Sequence, residues 1–254
     1  GLAVHVQTAH HDLLYDTGPA FSDEADSGNR IILPYLRALG VTRLDTLVVT
    51  HADSDHSGGA ESVADGVAIG EMLSSVPFEN RLAALPVTQR RCESTQQWDW
   101  DGVHFEMLHP QPEDYADARK SNDMSCVLRL ASAHGSLLLT SDIEARSEKA
   151  LVARLGAGLH ADAMTVPHHG SRTSSTPEFI AAVDPRSVLI PVGYLNRFRH
   201  PHPAVLERYA GRAVYRSDRD GALTVEYSAA GMQVTSTRAA DRRYWQAGAP
   251  QEAQ

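Results

Sequence analysis

Short apolar runs alternate with helical patterns along most of this sequence. In the first part of the chain, Leu13 to Tyr15 and Leu44 to Thr50 are apolar runs bounded by turn residues, and Ile31 to Leu39 lies between them. Apolar runs of this length, separated by segments with helical spacing, are typical of strands that alternate with helices. The pattern therefore predicts a mixed α/β fold.

The second half of the chain repeats this alternation. Val127 to Leu130 and Leu137 to Thr140 flank a connection that contains Gly135, which predicts a β-hairpin. The other expected elements are helices at Glu144 to Leu155 and Pro177 to Val183, and strands at Ala163 to Val166, Val188 to Val192, Ala213 to Tyr215, Leu223 to Tyr227 and Met232 to Ser236. Asp220-Gly221 is a strong turn signal. Residues 113–122 are polar and charged, so we expect a loop there.

Length and composition agree with one sizeable domain. The chain has 254 residues, of which 42% are hydrophobic and 22% charged, so it can bury a large core. We expect residues 1–238 to form this domain and residues 239–254 to form a flexible tail. The chain begins at Gly1 and soon has the pattern of a strand, so we expect a fragment of a longer polypeptide. Because it lacks a long apolar stretch and a signal peptide, we expect the fragment to be soluble by itself.

The charge limits how this chain could bind nucleic acid. A formal net charge of −9 argues against a broad positive field, because such binding usually relies on clustered Lys and Arg. A local site stays open, since two divalent metals would add about four positive charges. The two cysteines, Cys92 and Cys126, permit either one disulfide or two buried thiols.

A cluster of histidines and aspartates directly follows the apolar run that ends at Thr50. The segment His51-Ala52-Asp53-Ser54-Asp55-His56 holds four potential metal ligands, which would be costly to crowd together without a cation. A solvated polar turn is the alternative. Asp142 follows the hairpin strand Leu137 to Thr140, and His168 follows the strand near Ala163 to Val166. A ligand at the end of each of three strands predicts a metal site at one edge.

This arrangement resembles the ligand pattern of the metallo-β-lactamase superfamily. The positions that differ from the usual pattern point to one family within it. Asp53 stands where that superfamily usually has a second His, and Ser141 stands where Gly is usual. Three segments are similar to the C-terminal domain of the ComEC family of DNA-uptake channels: Ser121-Asn122-Asp123-Met124-Ser125-Cys126, Val166-Pro167-His168-His169-Gly170-Ser171, and Gly193-Tyr194-Leu195-Asn196-Arg197-Phe198-Arg199-His200-Pro201. The resemblance extends from Tyr15-Asp16-Thr17-Gly18-Pro19 to about Tyr227. It implies an αββα sandwich.

The resemblance also implies a centre of two divalent metal ions. Site one would be formed by His51, Asp53 and Asp142, and site two by Asp55, His56, Asp142 and His168, with Asp142 bridging. Because a carboxylate replaces an imidazole, we expect Mn²⁺, with Zn²⁺ and Mg²⁺ as alternatives. Two ions about 3.5 to 4 Å apart would activate a water and bind a phosphodiester for in-line attack. Asp55, Asp142 and His169 are the expected catalytic residues, and His169 could be a ligand, a hydrogen-bond donor behind the ligands or a proton donor.

Further polar residues could contact the substrate. They are Asn122, Ser125, Ser171, Arg172, Asn196, Arg197 and His200, and Arg199 and His202 add to the same basic stretch. The plainer alternatives are turn closure for Asn122, helix capping for the neighbouring Ser174 and Ser175, and solvated surface for the arginine-rich loop. Trp98 and Trp100 could stack on bases, but packing at a strand edge is favoured.

The function that the resemblance implies is metal-dependent cleavage of DNA. The domain would be a nuclease on the periplasmic side of an inner-membrane protein, where it degrades the strand that is not imported during natural transformation. DNA and the channel of the parent protein would be its partners, with no sequence-specific recognition. The alternatives are a small-phosphodiester hydrolase of the same fold and a metal-bearing module that guides DNA without cutting it, and a β-lactamase is favoured less. An oxidising location implies a Cys92–Cys126 disulfide.

Overall fold

Most of the strands in the described residues belong to two large β-sheets. The computed structural model describes residues 1–77, 80–116 and 119–240, so residues 241–254 of the expected tail lie outside it. In chain order the strands are β1 (Val4–Gln7), β2 (Asp12–Tyr15), β3 (Ala20–Ser22), β4 (Ala25–Asp26), β5 (Arg43–Val49), β6 (Ala68–Ser74), β7 (Gln89–Arg91), β8 (Gln97–Trp100), β9 (Val103–His109), β10 (Val127–Ser132), β11 (Gly135–Leu139), β12 (Ala163–Thr165), β13 (Ser187–Ile190), β14 (Ala213–Arg216), β15 (Leu223–Ser228) and β16 (Gly231–Ser236).

The helices connect these strands. They are α1 (Leu33–Ala38), α2 (Ser54–Ser57), α3 (Ala60–Gly66), α4 (Ala145–Leu155), α5 (Pro177–Val183), α6 (Pro203–Arg208), α7 (Ser217–Asp220) and α8 (Thr237–Ala240). A π-helical turn spans Gly28–Ile32, and 3₁₀ turns span Arg81–Ala84, Pro112–Ala116, Asn122–Met124, Gly156–Leu159 and Pro167–Gly170. Within the described ranges, no helix combines the length and the apolar character of a membrane span.

Two sheets lie face to face. The first has the strand order β1-β2-β5-β6-β7, and the second has the order β14-β13-β12-β11-β10-β9-β8. From β2 to β7 and from β11 to β14, neighbouring strands are parallel, so their carboxyl ends share one edge in each sheet. Residues of both sheets form the core between them, including Tyr15, Val48, Phe105 and Leu139.

Alternation of side chains along the strands creates the outer layers. In β5, Val48 belongs to the core between the sheets, whereas Leu47 and Val49 pack on the other face with residues of α1 and α3. In β11, Leu138 packs outward with residues of α4 and α5. Strands buried on both faces are apolar at almost every position, which explains the continuous runs in the sequence. The predicted α/β class and αββα sandwich are confirmed.

Asp220-Gly221 does not form a tight turn between two paired strands, as the turn signal suggested. Asp220 ends the short helix α7, and β15 pairs with β16 instead of β14. The β15–β16 hairpin directs one apolar side of each strand, including Val225, Tyr227 and Val234, toward the core between the sheets. The stretch expected to be a loop at 113–122 contains most of the 3₁₀ turn at Pro112–Ala116.

A disulfide connects the two sheets. Cys92 directly follows β7 of the first sheet, Cys126 directly precedes β10 of the second, and their Cα atoms lie 5.9 Å apart. Both residues are fully buried in the core between the sheets. This is the pairing that the ComEC resemblance implied.

Candidate metal centre

The chemistry-bearing residues lie where strands of both sheets end. His51 follows β5, and α2 then carries Asp55 and His56. Asp142 follows β11 of the second sheet, and His169 lies in the 3₁₀ turn that follows β12. Because the carboxyl ends of parallel strands share one edge, this topology brings the five side chains together.

The functional atoms of four of these residues converge closely. His56 Nε2 lies 3.1 Å from Asp142 Oδ1 and 3.3 Å from His169 Nε2. His169 Nε2 lies 3.1 Å from Asp55 Oδ2 and 3.6 Å from Asp142 Oδ1. Two overlapping groups result, one of His51, His56 and Asp142 and the other of Asp55, His56 and His169. In each group the ligand atoms all lie within 4.8 Å of one another.

Asp16 orients two of the histidines from behind. Its Oδ2 lies 2.7 Å from His56 Nδ1 and 2.9 Å from the Thr50 hydroxyl, which donates to it. Thr50 Oγ1 in turn lies 3.0 Å from His51 Nδ1. Because a carboxylate can only accept, His56 carries its proton on Nδ1. The Thr50 hydroxyl donates its one proton to Asp16, so it accepts from His51 Nδ1. Both histidines therefore direct the Nε2 lone pair toward the centre.

The turn after β12 orients its two histidines by the same principle. His169 Nδ1 donates to the carbonyl oxygen of Pro191 at 2.6 Å, so its Nε2 lone pair faces Asp55 and His56. His168 Nδ1 instead lies 3.2 Å from Thr173 Oγ1 and 3.4 Å from Glu144 Oε1. The neighbouring side chains thus have different surroundings, and His169 is the one inside the cluster.

These donors fit a divalent metal. His51 Nε2 is buried and has no hydrogen-bond partner in the described part of the chain, although a buried polar atom normally has one. His56 Nε2 and His169 Nε2 bring two lone pairs together beside two carboxylates, which is unfavourable without a cation. Imidazole nitrogens and carboxylate oxygens are ligands for ions such as Mn²⁺ and Zn²⁺. The residues present therefore fit a divalent metal ion.

The pKa values show the same need for positive charge. Burial lowers the pKa of His51 to about 4, which keeps its ring neutral. Burial also acts to lower the pKa of His56, but the carboxylates of Asp142 and Asp16 outweigh it and raise that pKa well above its ordinary value. Burial acts to raise the pKa of Asp142, yet His56 and His169 hold it well below its usual range. In the absence of metal, a proton on His56 would supply the missing charge.

Strained backbone surrounds the cluster. Asp16, Ser141, His168 and His169 have φ values of +61°, +48°, +49° and +54°, in the left-handed region that residues other than glycine rarely adopt. Such strain persists only where the surrounding structure fixes it, and it concentrates at functional sites. The two consecutive residues of this kind after β12 turn His168 and His169 toward different neighbours.

Residues 2–193 match the family model described as the Metallo-beta-lactamase superfamily. The chain belongs to this superfamily. It is similar to Competence protein ComA of Neisseria gonorrhoeae, with 37% identity over 248 residues that cover 97% of this chain and 33% of ComA. It is also similar to ComE operon protein 3 of Bacillus subtilis (strain 168), with 30% identity over 237 residues that cover 85% of this chain and 30% of that protein.

This metallo-β-lactamase chain thus spans about a third of the length of those relatives. Among solved structures, it resembles the metallo-β-lactamase fold protein YhfI from Bacillus subtilis with a TM-score of 0.51 and 11% identity, over 84% of this chain and 88% of YhfI. At that identity the likeness supports the fold alone.

Two of the expected ligands lie at the rim of the cluster. Asp53 Oδ2 is 3.9 Å from His51 Nε2, and the side chain is 47% exposed. His168 Nε2 is 3.7 Å from Asp142 Oδ2. Neither residue belongs to the two groups of converging atoms, whereas His169 does. In the arrangement of this metallo-β-lactamase fold, Asp53 and His168 are therefore outer residues of the centre.

Ser125 and Asn122 support the cluster from the segment before β10. Ser125 is fully buried, and its hydroxyl oxygen accepts a hydrogen bond from the backbone N–H of Asp142 at 3.3 Å. That contact helps to hold the Asp142 backbone, and the burial leaves the hydroxyl little access to a substrate. Asn122 Nδ2 lies 3.4 Å from His168 Nε2, which puts its amide at the rim.

The segment after the two histidines combines one exposed cation with buried hydroxyls. Arg172 is exposed. Ser171 is buried, and its hydroxyl lies 3.1 Å from Thr173 Oγ1, the group beside His168. Ser174 Oγ donates to the carbonyl oxygen of Pro167, so it holds the turn. Among these residues Arg172 has the best access to an anion.

The other substrate candidates lie in the loop between β13 and α6. The Asn196 side chain donates a hydrogen bond to the His200 carbonyl oxygen within this loop. Arg197 is exposed, and the centroid of the His200 ring lies 6.1 Å from that of His168. By contrast, Trp98 and Trp100 pack against Phe105 at the border of the core between the sheets, with ring centroids 5.2 and 5.1 Å from it. The tryptophans are therefore packing residues, and the loop is the part that approaches the centre.

Asp16 is the functional residue that the ligand pattern did not include. It stands directly after β2, in the Tyr15-Asp16-Thr17-Gly18-Pro19 segment that carried part of the resemblance. A fully buried aspartate at the end of an apolar strand is a usable signal, since such a carboxylate needs several donors.

Proposed function

We propose that this chain is a metal-dependent phosphodiesterase that cleaves DNA within a DNA-uptake protein. The observation that carries the proposal is the convergence of His51, His56, His169, Asp55 and Asp142 at the edge where both sheets end. Similarity to Competence protein ComA supports a role in DNA uptake, and therefore DNA as the substrate. Membership of the metallo-β-lactamase superfamily supports hydrolysis as the reaction.

In this proposal the centre holds two divalent ions. His51 and Asp142 would bind one, Asp55 and His169 would bind the other, and His56 lies in both groups of converging atoms. Asp53 and His168 at the rim would complete the two sites. With three imidazoles and two carboxylates in the groups, we propose Mn²⁺ as the working ion, because it accepts both kinds of donor, and Zn²⁺ as the closest substitute.

The protein's own part in catalysis is to hold these donors in place. Divalent ions in such a centre supply Lewis acidity toward a phosphoryl oxygen and lower the pKa of water. Asp16 fixes the tautomers of His51 and His56, and Pro191 fixes that of His169. The Ser125 hydroxyl steadies the backbone of Asp142. Once its donors are fixed, the centre needs little rearrangement during the reaction.

Similarity to Competence protein ComA supports the biological role that we propose. We propose that the parent protein lies in the inner membrane, and that this domain acts outside the cytoplasm on the DNA strand that is not imported. The Cys92–Cys126 disulfide supports an oxidising location. Arg172 and Arg197 would contact phosphates, which gives binding without sequence preference.

The test uses end-labelled single-stranded and duplex DNA with protein stripped of metal by a chelator. Mn²⁺, Mg²⁺ or Zn²⁺ is then restored, and Asp55→Ala and Asp142→Ala are assayed beside the unaltered chain. We expect cleavage that needs metal and that both substitutions abolish. Hydrolysis of small phosphodiesters without DNA cleavage would favour a small-ester hydrolase. Tight DNA binding without hydrolysis of either, in folded and metal-loaded protein, would favour a module that only guides DNA.

A further inference from the structure

The loop between β13 and α6 exposes large apolar side chains next to the metal centre. Tyr194, Leu195 and Phe198 are 74%, 81% and 64% exposed, which makes them the three most exposed large hydrophobic residues in the described part of the chain. Exposed aromatic groups that lie together usually mark a binding surface. This loop, residues 193–200, is called the aromatic loop below.

A series of planar groups leads from the metal centre out to this loop. The rings of His168 and His200 have centroids 6.1 Å apart. His200 is stacked on Phe198, with centroids 5.8 Å apart and planes that differ by 17°. The guanidinium of Arg197 covers Phe198, with Cζ 4.7 Å from the ring centroid. The series therefore begins beside Asp142 and ends in solvent.

Asn196 gives the loop a defined shape. Its side chain accepts from the His200 backbone N–H at 2.8 Å and donates to the His200 carbonyl oxygen at 2.8 Å. Leu195 and Arg199 have φ values of +51° and +57°, which keeps their side chains out of the usual strand or helix directions. The rings are thus presented on a braced backbone, so less conformational entropy is lost on binding.

The charge of the loop suits nucleic acid. The aromatic loop and the two residues after it contain Arg197, Arg199, His200 and His202 and no acidic residue, in a chain whose formal net charge is −9. Aromatic faces combined with arginines are the usual means of binding single strands, because each base has a face that can stack and each phosphate accepts from a guanidinium. Duplex DNA offers the arginines its phosphates but keeps its bases stacked inside.

We infer that the aromatic loop is a stacking platform that selects single-stranded DNA for this centre. The inference rests on the proposed function and names its substrate class. An unpaired base would stack on Phe198 in the place that the Arg197 guanidinium now takes, and Arg197 would turn to a neighbouring phosphate. His200 stacks on Phe198 and lies next to His168, so it connects the platform to the centre. A nucleotide close to the cleaved bond would therefore be bound by its base.

The first test compares a single-stranded oligonucleotide with one of the same length whose central nucleotides are abasic. An abasic strand keeps its phosphates and lacks the groups that stack. Phe198→Ala, Phe198→Trp and the control Leu39→Ala are assayed with Mn²⁺. Leu39 is exposed but lies before β5, at the opposite end of that strand from His51.

We expect Phe198→Ala to raise KM for the normal strand by about fivefold or more, since base stacking on aromatic residues contributes at least that much. The preference of the enzyme for normal over abasic DNA should fall by the same factor. Phe198→Trp should keep the preference, and Leu39→Ala should match the unaltered chain. Equal losses on normal and abasic strands would overturn the platform, because damage to the fold would act on both.

The second test is independent of cleavage. Fluorescence anisotropy with the same labelled strands measures Kd in the full chain. We expect Phe198→Ala to reduce the ratio of abasic to normal Kd by about fivefold. If the chain cuts no DNA but Phe198→Ala still lowers this Kd ratio, the proposed function is refuted and the stacking platform is supported. A chain that cuts DNA with an unchanged ratio in Phe198→Ala would refute the platform alone.

Discussion

Asp16 Oδ2 lies 2.7 Å from His56 Nδ1, with both side chains fully buried. The same carboxylate accepts from the backbone N–H of Thr50 at 2.8 Å and from its hydroxyl at 2.9 Å. One residue outside the ligand cluster therefore fixes the tautomers of two histidines inside it. Partners of this kind commonly influence metal affinity nearly as strongly as the ligands themselves.

Replacing this carboxylate should weaken the centre without unfolding the chain. In Asp16→Asn one of the two side-chain acceptors becomes an NH₂ group, which cannot accept from His56 Nδ1. We expect metal affinity and hydrolytic activity to fall about 10- to 100-fold. Calorimetric metal titration and steady-state kinetics measure the two effects.

Asp162→Asn is the matched control for that substitution. Asp162 is likewise a hydrogen-bond acceptor, with two hydrogen bonds from Ser136, but it precedes β12, whereas His168 and His169 follow that strand. We expect its metal affinity to stay within twofold of the unaltered chain. Equal losses in the two variants would mean that the Asp16 effect is only structural.

The two adjacent histidines after β12 should differ in their effect on metal content. His169→Ala removes a ring that faces Asp55 and His56, so we expect bound metal to fall from about two ions to about one. His168→Ala changes the rim, and we expect it to retain the stoichiometry. Elemental analysis after gel filtration distinguishes the outcomes, and the reverse pattern would mean that His168 contributes more to metal binding than His169.

Sequence reasoning reached the fold because the strands are buried on both faces. Continuous apolar runs such as Leu44 to Thr50 and Leu137 to Thr140 locate the strands, and polar residues after each run locate the edge of the sheet that carries the chemistry. The likeness of this pattern to a known superfamily then supplied the order of the layers, which apolar runs alone do not contain.

The finer arrangement of the centre depends on backbone angles and on contacts between distant strands, which the residue types do not predict. Whether His168 or His169 faces inward is decided by positive φ values at both positions, which the sequence does not indicate for histidine. Asp16 lies 40 residues from His56 along the chain and meets it only through the parallel pairing of β2 and β5. Ser125 was expected to contact the substrate, but it is fully buried. Its burial comes from packing of distant parts of the chain, which the local sequence does not indicate.

Metal should stabilise the folded chain. Ligands that bind only the folded state add about 2.7 kcal/mol at a hundredfold excess over Kd, which raises Tm by about 5–10 °C in a domain of this size. We expect the chelator-stripped protein to melt lower by that amount and to recover with Mn²⁺. Differential scanning fluorimetry checks this shift. Asp142→Ala should abolish it, and an equal shift in that variant would contradict binding at this centre.

Loss of the disulfide should destabilise the chain. Cys92 and Cys126 close a loop with a sequence separation of 34, and closing such a loop restricts the unfolded chain. We expect the Cys92→Ser, Cys126→Ser double variant to lose about 2–4 kcal/mol in the free energy of unfolding. Urea denaturation measures the loss. Reduction of the unaltered protein by dithiothreitol should reproduce it, while leaving the double variant unchanged.

Acid should destabilise the metal-free protein partly through His109. Burial lowers the pKa of His109, whose Nδ1 donates to the carbonyl oxygen of Ser125. Below the unfolded pKa of about 6.5, the unfolded chain therefore binds a proton that the folded chain does not. Stability is fully present above that pH and is lost as the pH falls through it toward the lower folded pKa.

The urea unfolding free energy between pH 7.5 and pH 5, measured with chelator present, checks the contribution of His109. We expect His109→Gln to flatten the pH dependence, because glutamine does not titrate. His134→Gln, a change in the exposed hairpin turn, should retain the original slope. Identical slopes in all three proteins would contradict the assignment.

The donors of the centre come from both halves of the sandwich: His51, Asp55 and His56 follow a strand of one sheet, and Asp142 and His169 follow strands of the other. A divalent ion held between them would be a reversible cross-link, and it would close the same interface that Cys92 and Cys126 close covalently. Part of the metal-binding free energy then resists separation of the sheets. A substitution deep in the core between the sheets could weaken metal retention while touching no ligand, and the concentration of available metal would set how firmly the two halves stay together.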